Sequence, residues 1–213
     1  MMIAELRKRR GGQVLLVPDE GEPVLVDRRT FEESPYRVGS SLSEEALSAL
    51  LEESEHRRAR EKALSLLSGR DHSRRELEEK LRRTAGRQTA EETATRMEEL
   101  GLVDDRRFAD HLAQELIHRR HFSRRRAVQE LCARGVDRET AVRAVEETES
   151  DDLGQALALL RKKYYNKQDT VEARRRTAAA LMRYGFDGPT IRRAMESSGV
   201  GAYDDDRENE FDD

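Results

Sequence analysis

Five histidines and a single cysteine carry the most versatile side-chain chemistry in this 213-residue chain. None of them falls in a pattern that would use it. His111 and His118 are seven residues apart and share a helical face, but Asp110 and Glu115 do not complete a ligand set with them. His121 is not part of an H-E-x-x-H run. Cys132 follows Val128 and Leu131 on an apolar stripe, which is the setting of a packed thiol rather than a nucleophile. Neither G-x-x-x-x-G-K-[ST] nor G-x-G-x-x-G occurs, so nothing cradles a nucleotide. Asp104 and Asp105 suit a helix cap better than acid–base work. We expect no catalytic residue, no metal and no cofactor: the chain does not read as an enzyme.

The chemistry the sequence does offer is anion capture. Residues 123–131 read Ser-Arg-Arg-Arg-Ala-Val-Gln-Glu-Leu; fifty residues earlier stands Ser-Arg-Arg-Glu-Leu-Glu-Glu-Lys-Leu, and fifty later Ala-Arg-Arg-Arg-Thr-Ala-Ala-Ala-Leu. Leu81, Leu131 and Leu181 share this period, as do Arg74/Arg75, Arg124/Arg125 and Arg174/Arg175. Fixed-period self-similarity of this length marks a stacked repeat protein. In each copy the arginines are expected in the first turn of a helix, where the macrodipole disfavours cations by a few tenths to ~1 kcal/mol. A helix N-terminus with converging guanidinium groups would hold phosphate or carboxylate. Compensation differs between copies. Arg74 and Arg75 lie four before Glu78 and Glu79, and Arg126 lies four before Glu130, whereas Arg174, Arg175 and Arg176 precede only alanines. The candidate partner- or DNA-binding residues are therefore Arg119, Arg120, Arg124, Arg125, Arg126, Lys162, Lys163, Lys167, Arg174, Arg175 and Arg176, with Arg74 and Arg75 as weaker candidates. Tyr164 and Tyr165 are at a spacing where one belongs to the core and the other is free to stack.

The elements that position these residues are short helices. The fold class is mainly α: an elongated tandem array of three-helix repeats with a small N-terminal β-hairpin. Residues 1–41 form the hairpin lead-in, with strands at 13–17 and 24–27 and an irregular stretch at 28–41. A connecting helix covers 42–56, with Ser41 and Glu44 as its capping box. Repeats one to three cover 57–103, 104–150 and 151–200, and an acidic, disordered tail covers 201–213. Capping boxes are expected at Ser73/Glu76 and Thr89/Glu92, caps at Asp104, Asp137 and Asp187, and a hydrophobic staple from Val103 to Phe108. Inward positions include Met97, Leu100, Leu112, Leu116, Val145, Leu160, Ile191 and Met195. No single repeat is expected to bury its apolar face alone.

Composition agrees with thin helical layers: charged residues make up 39%, aromatics 5%, and Trp is absent. The net charge of −4 is unevenly spread, at −5 over residues 1–56, +7 over 57–200 and −6 over 201–213. Such asymmetry suggests a polyanionic partner for the repeats and a tail that folds back on them. One cysteine excludes an internal disulfide. No apolar run reaches the ~18 residues of a membrane helix, and the run after Arg7–Arg10 is too short for a signal peptide. We expect a cytoplasmic monomer.

Three motifs resemble the RecX family, bacterial regulators of the RecA recombinase. These are Ala63-Leu64-Ser65-Leu66-Leu67 with Ser73-Arg74-Arg75-Glu76-Leu77 and Leu81; Leu100-Gly101-Leu102-Val103-Asp104-Asp105-Arg106-Arg107-Phe108-Ala109; and Arg125 to Leu131 with Arg134-Gly135-Val136-Asp137. Residues 151–196 resemble the third repeat of that family more loosely. The resemblance implies a non-enzymatic modulator that lies along the groove of the RecA nucleoprotein filament. Such a protein inhibits ATP hydrolysis, strand exchange and co-protease activity, and so bears on homologous recombination, DNA repair and the SOS response. It also implies binding to single- and double-stranded DNA without sequence preference. A directly acting, helix-turn-helix-like DNA-binding protein is the alternative; it needs base-reading side chains, and Leu77–Leu81 and Thr177–Leu181 supply few.

Overall fold

Alternation of buried and exposed residues builds a three-stranded antiparallel sheet, not the two-stranded hairpin expected from the sequence. Its strands are β1 (Ile3–Arg9), β2 (Gln13–Pro18) and β3 (Val24–Asp27), in that order. β1 has a weak apolar pattern, with only Ile3 fully buried, and is held by its register against β2, from Lys8 opposite Val14 to Leu6 opposite Leu16. Val14, Leu16 and Val26 point to one face and join Ile3, Phe31, Leu42 and Leu50 in a core. The computed structural model describes residues 1–164 and 170–198.

The stretch 28–41 is not wholly irregular. Asp27 accepts from Thr30 N–H at 2.9 Å and caps α1 (Arg28–Glu33), which Phe31 anchors in the core of the sheet. Next comes α2 (Glu44–Gly69), a single helix of 26 residues capped by Ser43, not Ser41. Its first half carries Leu50 into the core of the sheet, and its second half carries Ala63, Leu66 and Leu67 into the core of the first repeat. That repeat is completed by α3 (Arg74–Leu81) and α4 (Arg87–Glu99). Ser73 caps α3 as expected, accepting from Glu76 N–H at 3.0 Å. The expected Thr89 cap does not form: α4 starts two residues before Thr89, at Gly86, and Thr89 is buried inside it. Leu100 also departs from expectation. It lies past the end of α4 beside Gly101 (φ +68), and is half exposed, while Met97 and Val103 are buried.

The chain divides into two compact units, Met1–Asp104 and Asp105–Asp213. The second begins with α5 (Asp105–Gln114), which widens into a π-helical turn at Glu115–Arg119. It continues with α6 (Arg124–Ala133), α7 (Arg138–Glu147), α8 (Asp152–Lys163), α9 (Val171–Arg183) and α10 (Gly188–Ser197). Asp137 and Asp187 cap α7 and α10 as expected, each accepting from a threonine N–H at 2.9 Å. Phe108 packs with Leu112, Leu116 and Leu131 in the second repeat's core, whereas Val103 belongs to the core of the first.

Each repeat has its own buried cluster, contrary to the expectation that none could enclose one alone. Alanine is the reason. Ala90 and Ala94, Ala127, Ala141 and Ala144, and Ala156, Ala178 and Ala194 let helix backbones approach closely, so three helices can surround a few leucines. The fifty-residue period holds on the inner face, where Leu81, Leu131 and Leu181 are all fully buried. Cys132 is half buried against the second cluster, and Tyr164 packs on the third.

Candidate partner-binding surface

The three basic segments occupy three different environments. In the first repeat, Arg74 does not pair with Glu78. It reaches across to α4, with Nε 3.3 Å from Glu98 and Nη2 donating to Thr95 Oγ1 at 3.0 Å. Glu78 instead pairs with Arg82 at 2.6 Å, and Arg75 pairs with Glu79 at 3.2 Å. This segment is neutralised within its own repeat.

The second segment is built into the junction of the second and third repeats. The turn after α5 closes with His121 in the left-handed region (φ +55) and Phe122 N–H donating to Leu116 O at 3.0 Å. Phe122 then meets Tyr184 edge-on, with ring centres 5.5 Å apart. Ser123 is fully buried; its N–H donates to Tyr184 O at 3.0 Å and its Oγ caps α6. The guanidinium of Arg126 pairs with Glu130 and lies over the Phe122 ring, 5.6 Å from its centre. The free N–H of Arg124 donates to Asp152 Oδ1 at 2.8 Å. A carboxylate of the same chain thus already occupies the N-terminus of α6, so the expected anion pocket at this helix end is filled. Thr190 holds the Asp187 carboxyl below the usual carboxylate range, and the nearby Arg125 charge adds to this. Arg120 pairs with Glu115 at 2.6 Å, while Arg119 is exposed and makes no ion pair among the described residues.

The third segment departs from the period. Thr170 caps the helix, accepting from Ala173 N–H at 3.1 Å, so α9 starts three residues before the position equivalent to Ser73 and Ser123. Arg174–Arg176 therefore lie in the second turn, beyond the strongest part of the dipole. Arg175 and Arg176 are exposed, and neither makes an ion pair among the described residues. With Ala179, Met182 and Arg183 they form the outer face of α9, opposite the buried Thr177, Ala178 and Leu181. Lys162 is exposed on α8; Lys163 donates to the Tyr184 hydroxyl at 2.6 Å, which raises its pKa. Lys167 and Tyr165 lie outside the described residues, as does the acidic tail. Sequence reasoning missed Arg183, whose signal was its place seven residues after Arg176 on the same face, and the exposed Arg192 and Arg193 of α10.

Among the described residues, no group of three or more His, Cys, Asp or Glu side chains is placed to hold a metal, and no helix is long and apolar enough to cross a membrane.

Comparison with known proteins gives these surfaces a family. The models for the first, second and third three-helix domains of RecX match residues 59–97, 104–145 and 149–195. A regulatory protein RecX from Clostridioides difficile (strain 630) is 25% identical over 194 residues, covering 90% of this chain and 92% of its own length. One from Stenotrophomonas maltophilia (strain R551-3) is 36% identical over 136 residues, covering 63% and 83%. A crystal structure of a regulatory protein RecX shares the fold, with a TM-score of 0.60 and 17% identity over 92% of this chain and 98% of that one. With all three of its helical repeats matched and relatives aligned over most of their length, the chain belongs to the RecX family of regulatory proteins.

Proposed function

We propose that the protein is a non-catalytic regulator, mainly an inhibitor, of a RecA-type recombinase. It binds along the groove of the RecA–DNA filament and lowers its ATPase, strand-exchange and co-protease activities. The observation that carries this reading is the unneutralised basic face of α9, set in a chain whose three repeats match the RecX domains. Arg175, Arg176 and Arg183 offer charge to DNA phosphates or acidic protein groups, with Met182 as an apolar contact between them. Several weak contacts of this kind, repeated along one partner, add through avidity. The same face lacks the amides that read base edges, which favours non-specific DNA contact over a helix-turn-helix role. Binding takes place in the cytoplasm, where the recombinase works.

The test is ATP hydrolysis by the cognate recombinase on single-stranded DNA, with increasing amounts of this protein. Inhibition is expected below one protein per recombinase subunit, and Arg175→Glu with Arg176→Glu is expected to weaken it at least tenfold without lowering the melting temperature. No effect of the unaltered protein at any ratio would sink the proposal.

A further inference from the structure

The turn between β1 and β2 gathers six cations that the helical repeats do not supply. Lys8 and Arg9 end β1, opposite Val14 and Gln13. Arg10 opens the turn, and Gly11 and Gly12 complete it at φ +75 and +71. Gly12 O accepts the Arg28 N–H at 2.8 Å, which brings Arg28 and Arg29 of α1 to the same place. On the α2 side, the Gln13 side-chain oxygen, in the amide orientation that satisfies both groups, accepts from Arg58 Nη1 at 3.1 Å and Nε at 3.2 Å.

All six side chains are exposed. Lys8, Arg9, Arg10, Arg29 and Arg58 make no ion pair among the described residues. Arg28 lies 3.5 Å from Glu32, with both groups about half exposed, a geometry in which pairing contributes little. The nearest other carboxylate, Asp27, is buried, caps α1 and lies 3.8 Å from Arg57. The acidic residues of this sheet, Asp19, Glu20 and Glu22, sit in the β2–β3 connection at its opposite end, a strand length of about 17–20 Å away. The charge is thus segregated along the sheet.

We infer that this turn is a second nucleic-acid contact, which binds the phosphodiester backbone. The ligand must be a densely and uniformly charged polymer, because the cations are adjacent and nearly unneutralised. An acidic peptide would use apolar anchors as well, and the turn presents none: it consists of cations, two glycines and a glutamine. The absence of an aromatic side chain there also excludes base stacking, so the contact is with phosphate and carries no sequence preference. Gly11 and Gly12 leave open space around the turn, with nothing within 4 Å of where a Cβ would stand, so a backbone can approach closely. This inference deepens the DNA-contact part of the reading above and does not depend on the α9 face.

The test is titration of the full chain carrying Arg9→Ser, Arg10→Ser and Arg29→Ser against fluorescent 30-nucleotide single-stranded and duplex DNA, without recombinase, at several salt concentrations. Each lost phosphate contact should reduce the slope of log affinity against log salt by ~0.9 on duplex and ~0.7 on single strands; near 0.1 M salt it should weaken duplex binding about eightfold. The triple variant should therefore bind ten- to a hundredfold more weakly, with an unchanged melting curve, and the corresponding triple lysine variant should bind like the parent. The duplex and single-strand arms show which form the turn prefers. Unchanged affinity and slope on both DNAs would overturn the inference. If filament ATPase inhibition stayed intact in that case, the proposed function would stand; weaker filament binding with unchanged DNA affinity would instead assign the turn to an acidic protein surface.

Discussion

Replacing Gly185 by alanine is the sharpest probe of the junction that holds the second basic segment. Gly185 has φ +94, and its N–H donates to Met182 O at 2.9 Å as the turn after α9 closes. An added Cβ would overlap Ser123 Oγ and stand 2.5 Å from Arg126 Cβ. Neither neighbour can retreat easily. Ser123 is fully buried and pinned at its N–H by Tyr184 O and at its Oγ by the cap of α6. The Cβ of Arg126 is fixed to the backbone of that same helix. An L-residue in the left-handed region costs about 1–2 kcal/mol, and overpacking a tight contact costs a further ~1–3 kcal/mol. The sum, roughly 2–5 kcal/mol, corresponds to a fall in melting temperature of roughly 5–15 °C for a chain of this size. Gly101→Ala is the control: its φ is +68, but nothing lies within 4 Å of the new Cβ, so only the conformational cost applies. Urea unfolding of both variants, followed by circular dichroism at 222 nm, measures the difference. If Gly185→Ala loses no more stability than Gly101→Ala, the close junction between these repeats is wrong.

Other predictions follow from single groups. His72 is buried, its Nδ1 lies 2.9 Å from Arg70 O, and desolvation lowers its pKa below the free value. The unfolded chain then takes up the proton more readily, so stability should be fully present above about pH 6.5 and fall as pH drops through the unfolded pKa. Replacing His72 with Gln should flatten urea midpoints between pH 7 and 5 relative to the parent. Thr170→Ala should cost ~1 kcal/mol by removing the cap of α9, whereas Ala173→Ser should gain nothing measurable in the same unfolding assay. Removing residues 201–213, which carry a net charge of −6, should tighten DNA binding at low salt, and the gain should vanish above ~0.3 M as screening sets in.

What the sequence made legible was mostly periodic. Leu81, Leu131 and Leu181, and the caps Ser73, Asp137 and Asp187, follow from spacing and local hydrogen-bond chemistry, and the structure has them in place. Elements held by tertiary contact were not visible. β1 is mostly charged and gains its order from pairing with β2, and α1 is too short to form without Phe31 buried beneath it. The start of α9 was missed because two caps competed: the period pointed to residue 173, but that residue is alanine, and the nearest side chain able to accept an amide hydrogen bond is Thr170. At the candidate surface the cations were evident, but their competitors were not. Asp152 reaches the start of α6 across 28 residues, and Arg74 meets Glu98 across 24, and no local pattern encodes either meeting.

The unbroken helix α2 has a mechanical consequence. At 1.5 Å per residue its 26 residues make a strut about 39 Å long, with one end embedded under the sheet and the other forming part of the first repeat's core. It has no proline or internal glycine at which to bend. Ser54 Oγ accepts the Asp27 N–H at 2.6 Å, and Arg57 clamps Glu33, so the sheet is bolted to the strut rather than tethered to it. A load taken up at the β1–β2 turn is therefore delivered to the first repeat as rotation of a rigid lever. A cut at residue 59, where the match to the first RecX domain begins, would sever that lever in mid-shaft, whereas a cut before Ser43 would leave the repeat with its whole shaft.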